Sequence, residues 1–291
     1  MKSVDVVMDR WAEWLGRVRS SLAGRPHPHG ERLRREARVQ EGQRVLEVGA
    51  GIGLLTFETA RHLGPNGLMV ALDRSRAALR ECQRRAADGG TRAPVVVVQG
   101  DAARLPFAAG QFDIVLVASV LLYVTDQTGA IGELHRVLRP GGRVALWEPV
   151  LRVAPEWPWR WEGEWGDLGP AHARVVAYQR ERSGHAEAIG GFDERDLVRA
   201  CRAVGFVQVA LDYEYRYRRD LRATRDMVDG WLTDQASPVP PYAEAARAVL
   251  GDAAVGHLAR FTERLLAQPL AMASAGAWIT AEKAGGEGGR G

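Results

Sequence analysis

Three glycines at the end of a short apolar segment constrain this chain most. Glu47-Val48-Gly49-Ala50-Gly51-Ile52-Gly53 follows Arg44-Val45-Leu46. Glycine adopts positive φ at little steric cost and lets a ligand approach the main chain closely. Such a run fits a tight strand-to-helix turn at the carboxyl edge of a sheet. Helical spacing resumes over residues 54–63. Further apolar strands read at 68–72, 95–98, 112–117 and 143–147, with helical patterns at 75–88 and 127–138 between them. The last helix stops at Arg139-Pro140-Gly141-Gly142. Continuous apolar strands alternating with helices predict an α/β parallel sheet covered on both faces.

The glycine spacing is G-x-G-x-G, with Leu54 where a dinucleotide fingerprint would place its last glycine, and this counts against a nicotinamide enzyme. Asp73 ends the second strand, where a carboxylate can accept hydrogen bonds from ribose hydroxyls. The third strand runs into Gly100-Asp101-Ala102-Ala103-Arg104-Leu105-Pro106-Phe107. An acid at that tip can accept a hydrogen bond from an adenine amino group, and Ala102 offers a backbone N–H beside it.

In this order, the glycine loop, Asp73, the Gly-Asp-Ala-x-x-Leu-Pro-Phe stretch and Leu138-Arg139-Pro140-Gly141-Gly142 resemble class I S-adenosylmethionine-dependent methyltransferases. The nearest likeness is to the small-molecule branch with ubiquinone-type and natural-product enzymes, over residues 41–149. The resemblance implies a Rossmann-like, doubly wound seven-stranded sheet with an antiparallel last strand and helical cap or lid insertions. Residues 272–282 would be that strand, beside 206–217. The resemblance also implies S-adenosyl-L-methionine as methyl donor, S-adenosyl-L-homocysteine as product, and a set of contacts. Glu47, Gly49, Ala50, Gly51 and Gly53 would surround the amino-acid part, Asp73 and its neighbour Arg74 the ribose, and Asp101 and Ala102 the adenine. Ser119 would lie near the sulfonium.

Methyl transfer from a sulfonium is an in-line displacement that needs alignment and exclusion of water, and a base only where the nucleophile must lose a proton. Candidate bases are Glu148 after the fifth strand, His185 in the following insert and Tyr123 after the fourth strand, each with a structural alternative. His27 and His29 flank a proline and read as loop residues rather than metal ligands, so no metal is expected.

The flanks suggest five parts. Residues 1–40 form an N-terminal helical cap whose first helix spans 4–22. Residues 41–149 are the cofactor-binding core, and 150–192 a Trp-rich lid insertion. Residues 193–284 hold the remaining strands with a helical insertion at 222–268, and 285–291 are a disordered tail. Four of the nine tryptophans fall in Glu156–Trp165. Trp157, Trp159 and Trp161 alternate, which puts them on one side of an extended segment as a wall for a bulky, partly apolar acceptor. The alternative is that they pack the insert onto the core.

Net charge is +3, with acids interspersed among the basic residues, so a nucleic-acid surface is not expected. Lysine appears only at Lys2 and Lys283, an Arg preference that fits codon bias. Cys82 and Cys201 lie far apart and predict reduced thiols, hence a cytoplasmic protein. Asp5, Asp9 and Glu13 interrupt the first apolar segment, unlike a signal peptide, and no uncharged apolar run suits a membrane span. The expected partner is a small-molecule acceptor, and the expected state a monomer or homodimer. Two alternatives stand beside small-molecule O-, N- or C-methylation: a non-methylating cyclase or scaffold on the same fold, and an RNA or protein methyltransferase. Ala118-Ser119-Val120-Leu121 lacks the Asn/Asp-Pro-Pro-aromatic motif of adenine-N6 and glutamine enzymes.

Overall fold

The computed structural model describes residues 27–150, 159–161, 165–183, 192–233 and 240–285. The helix expected over 4–22, Trp157, His185 and tail residues 286–291 lie outside them.

Five parallel strands form the first half of the sheet: β1 (Arg44–Val48), β2 (Leu68–Asp73), β3 (Val95–Gln99), β4 (Phe112–Ala118) and β5 (Leu138–Pro149). They are followed by β6 (Trp159–Trp161), β7 (Phe206–Leu221) and β8 (Leu270–Lys283). The order is β3-β2-β1-β4-β5-β8, and β8 runs antiparallel to β5 and to β7. These seven strands are the sheet the sequence implies. An eighth, the three-residue β6, pairs with Leu270–Met272 on the edge of β8 that β5 occupies further along.

Strand alternation sends side chains to two separate cores. On one face Leu46, Val48, Val115, Val117, Leu146 and Ile279 pack against α4 (Gln127–Val137) and α6 (Glu194–Ala203). On the other, Val45, Leu116, Ala145 and Trp278 pack against α1 (Gly30–Glu36) and α2 (Leu54–Leu63). Helix α3 (Arg76–Ala87) covers the β2–β3 end and starts at Ser75, whose hydroxyl accepts the Ala78 N–H at 3.1 Å. Asp193 and Asp196 close a capping box at the start of α6.

Three elements differ from the sequence reading. Strand β5 begins at Leu138, before the Pro-Gly-Gly turn, because Leu138 pairs with Phe112 ahead of a register shift. The second part of the helical insertion expected over 222–268 is two helices, α8 (Tyr242–Leu250) and α9 (Ala254–Ala267), parted at Gly251 with φ +55°. Within the stretch read as an irregular lid lies the fifteen-residue helix α5 (Gly169–Ser183).

That helix belongs with α7 (Arg225–Thr233), α8 and α9. Val175, Val228, Leu232, Tyr242, Phe261 and Leu265 form a third core, so residues 165–183 and 225–267 make one cap although the sheet strand β7 separates them in the chain. Trp165, the last of the tryptophan cluster, stacks on Phe261 at 5.1 Å and on His172 at 4.0 Å. Inside the cap the Tyr242 hydroxyl lies 2.9 Å from both His172 Nδ1 and His257 Nε2. A hydroxyl has one proton, so it donates to one imidazole and accepts from the other. His257 Nδ1 is buried without a partner. Tyr242→Phe removes the partner of two imidazole nitrogens, His172 Nδ1 and His257 Nε2, and is expected to lower stability by about 1–3 kcal/mol in urea unfolding.

Candidate functional site

The site lies where β1, β2, β3 and β4 end. Gly49, Gly51 and Gly53 take φ of +76°, +55° and +85°. The N–H groups of Gly49 and Ala50 both donate to the Leu72 carbonyl, at 2.8 and 2.9 Å, so the loop is tied to the tip of β2. A Cβ at position 49 would sit 2.2 Å from Val120 Cγ2, and one at position 53 would sit 2.5 Å from the Phe57 ring. These two positions therefore need glycine for both space and conformation.

Asp73 is nearly buried, with Oδ2 accepting the Gly51 N–H at 2.7 Å and Oδ1 the Ser75 N–H at 2.8 Å. Glu47 lies beneath the loop, buried, and accepts the Thr56 hydroxyl. Burial pushes its carboxyl up to about 8; the Thr56 hydrogen bond opposes this, while Asp73 and Glu58 add to it. Helix α2 begins at Leu54 with Gly53 as its N-cap and no side-chain cap, which leaves its dipole end suited to a negative group.

At the β3 tip, Asp101 accepts the Ala103 N–H at 2.9 Å and bridges to Arg104, while Ala102 is buried beside it. Arg74 approaches Asp101 at 3.8 Å as an exposed pair. Asp73, Arg74, Asp101 and Ala102 thus lie at two adjacent strand ends.

The turn after β4 is the strained part. Ser119 has φ +58°, uncommon outside glycine, and its N–H donates to the Trp147 carbonyl at 2.9 Å. The next three N–H groups converge on one carboxylate: Val120 and Leu121 donate to Glu148 Oε1 at 2.9 Å each, and Leu122 to Oε2 at 3.3 Å. Glu148 is fully buried, and burial lifts its carboxyl to about 7 against those three bonds. The geometry makes it the clamp of this turn, in place of the base that its position after a strand suggested. Tyr123 closes the same turn. Burial, with Glu148 nearby, pushes its phenol up to about 12. Of the three candidate bases, His185 lies outside the described residues. Trp159 and Trp161 occupy β6, while Trp157 lies outside the described residues.

Sequence reasoning read His27 and His29 as loop residues and gave that loop no role in the site. The His27 N–H donates to Glu58 Oε1 on α2, and the His29 ring stacks on Trp147 of β5 at 3.7 Å. The loop therefore spans from α2 to β5, on the sheet face that carries Glu47 and Ala118. The proline between the two histidines marked a loop, but only tertiary structure shows what it crosses. Among the described residues no group of three or more His, Cys, Asp or Glu side chains is placed to hold a metal ion. Cys82 and Cys201 are buried thiols pushed up to about 12 by burial, unsuited to nucleophilic work.

This strand order with a glycine loop at the β1 tip is the Rossmann-like fold of class I methyltransferases. Residues 45–142 match the methyltransferase domain family. A ubiquinone/menaquinone biosynthesis C-methyltransferase of Saccharophagus degradans is 38% identical over 110 residues, 38% of this chain and 44% of that protein. The chain thus spans less than half the length of this relative. Two solved structures share the fold. The cyclase SpnF is 21% identical with a TM-score of 0.52, over 88% of this chain and 81% of that one. A Haemonchus contortus phosphoethanolamine N-methyltransferase, solved with phosphomonomethylethanolamine and S-adenosylhomocysteine, is 15% identical with a TM-score of 0.51, over 88% of this chain and 52% of that one.

The two raised carboxyls give the ligand-free protein a pH signature. A carboxyl whose folded pKa is raised adds stability that is complete below its unfolded value near 4.5 and is lost as pH rises through about 7 for Glu148 and about 8 for Glu47. His27, His29 and His172, held down to about 4 by burial, act oppositely, but only below their unfolded value of 6.5. Between pH 6.5 and 8.5 the carboxyls dominate, so the melting temperature is expected to fall across that window. Glu47→Gln should flatten the fall at its alkaline end. Differential scanning fluorimetry at constant ionic strength reads both.

Proposed function

We propose that this chain is an S-adenosyl-L-methionine-dependent methyltransferase that acts on a small molecule. The observation that carries the reading is the pairing of Asp73 with the Gly51 N–H, which holds a buried acid beside the glycine cradle at the β2 tip. In this reading Asp73 accepts both ribose hydroxyls, with Arg74 at the rim, and Asp101 and the Ala102 N–H take the adenine edge. Glu47 faces the amino group of the donor, and Gly49, Ala50, Gly51 and Gly53 with the α2 N-terminus border its carboxylate. Ser119, at the turn gripped by Glu148, lies at the sulfonium. S-adenosyl-L-homocysteine is the product that stays behind.

The sulfonium supplies an activated methyl group. The chain has to align an acceptor atom in line with it and keep water away. Residues 41–149 serve as the donor-binding half, with 1–40, the Trp-rich stretch and the helical cap bordering the acceptor. An acceptor that is bulky and partly apolar suits Trp157, Trp159 and Trp161 as its wall. Methylation at O, N or C of such a compound, in secondary or cofactor metabolism, fits the likeness to a quinone C-methyltransferase. The likeness to SpnF is one of fold and gives no independent support to a cyclase. Two buried free thiols support a cytoplasmic enzyme, and among the described residues no helix is long and apolar enough to cross a membrane.

Calorimetry tests the reading. S-adenosyl-L-homocysteine should bind the wild type, and Asp73→Ala should weaken it on the order of tenfold to a hundredfold through loss of hydrogen bonds to a charged acceptor. Binding of NAD alone, with no response to S-adenosyl-L-homocysteine, overturns it.

A further inference from the structure

The histidine-bearing loop before α1 has no part in the donor site described above, yet it borders it. Its two ends are anchored on different elements: the His27 backbone on Glu58 of α2, and the His29 ring on Trp147 of β5. Gly30 follows at close quarters, since a Cβ there would sit 2.5 Å from Glu58 Oε2. Glu58 is further held by Arg34 at 2.8 Å. The loop is therefore fixed at one end on α2 and at the other on the aromatic pair of β5 and β8.

Trp147 relates this loop to the reacting region. It pairs with Ala118, the last residue of β4, and its carbonyl takes the N–H of Ser119. The indole lies over Gly276 of β8, where a Cβ would come 2.7 Å from Trp147 Nε1. His29 covers the other side of the indole at an interplanar angle of 22° and meets Trp278 edge-on at 5.2 Å. The imidazole is thus oriented by flat aromatic contacts, with no hydrogen bond to either ring nitrogen among the described residues. A histidine held this way keeps a lone pair for a ligand.

Resting on the methyltransferase reading, we infer that the acceptor is a hydroxyl-bearing compound and that His29 is the group that takes its proton. As the acceptor oxygen's electron pair forms the bond to the methyl carbon, the O–H proton passes to the free imidazole nitrogen. The S–CH3 bond breaks with its pair staying on sulfur, and the imidazolium then returns its proton to water. Trp147 and Trp278 position the ring. The charged groups around it are His27, Arg32 and Arg34 from its own segment, Glu58 from α2, and Asp212, Glu214 and Arg216 from β7. Burial, together with His27, holds the His29 imidazole down to about 4, so it is neutral and able to accept throughout the neutral range.

The test uses the full chain with labelled S-adenosyl-L-methionine and three acceptors of one shape: 1-naphthol, 1,4-naphthohydroquinone and 1-naphthylamine. The wild type is expected to methylate at least one hydroxyl compound at a rate flat from pH 6 to 8.5. His29→Gln should lower that rate roughly a hundredfold or more at pH 7. Its residual rate should rise about tenfold per pH unit, because the acceptor must then ionise unaided. Added imidazole should restore part of the rate of His29→Ala. Calorimetry should show S-adenosyl-L-homocysteine binding within about twofold of wild type in both variants, which also reports that they fold. A loss of rate that is flat with pH and not rescued by imidazole overturns the inference, as does an unchanged rate or lost affinity for S-adenosyl-L-homocysteine. Transfer to the amine alone, or to none of the three, overturns it too. Failure of the wild type to bind S-adenosyl-L-homocysteine would instead sink the methyltransferase reading beneath it.

Discussion

One buried carboxylate sets the shape of the site. Glu148 gathers three successive N–H groups of the turn after β4, at 2.9, 2.9 and 3.3 Å. Without that anchor the left-handed Ser119 would have little reason to persist, since such a conformation is costly for a residue with a side chain. The turn presses Val120 against Gly49, so the clamp also explains why no side chain fits there. Charge-assisted bonds of this kind contribute roughly 1.5–3 kcal/mol each. Taking a carboxylate out of water costs several kcal/mol. The two effects nearly offset, so Glu148 acts on geometry more than on net stability. The glycine loop, the β4 turn and the start of α2 are held as one unit by this contact and by Asp73.

Most of the sheet was legible because its signals are local. Val95–Val98 is β-branched throughout, the glycine run can only turn, and Ser75 and Asp193 are caps that act within three residues. The strand ends that carry the proposed donor contacts follow from pattern, while the roles given to those residues come from the resemblance to class I methyltransferases. What escaped depends on distant partners. Glu148 reads as a base at the end of a strand, and only the N–H groups that surround it in space reveal a clamp. His29 reads as a loop residue because Trp147, its partner, is over a hundred positions away. Helix α5 was hidden because its residues pack onto helices from the far side of β7, so its own apolar pattern is weak. Gly251 interrupts a helical pattern that periodicity continues straight through.

Burial of polar groups follows the same division. At the strand tips the buried acids Asp73 and Glu148 accept backbone donors, and Glu47 accepts the Thr56 hydroxyl. In the cap, His172, Tyr242 and His257 form a chain of neutral groups that leaves one nitrogen unsatisfied. Charged groups serve where a backbone turn must be fixed, and neutral ones where helices must be joined through an apolar interior.

The separate core of the cap has a consequence for how this protein can change. Val175, Val228, Leu232, Phe261 and Leu265 touch one another and not the residues beneath the sheet. A substitution there perturbs its own neighbours first, because packing strain travels through contact. The strand tips that carry the glycine loop are thereby set apart from drift in the cap. Lineages of such a chain can vary the one while the other stays still.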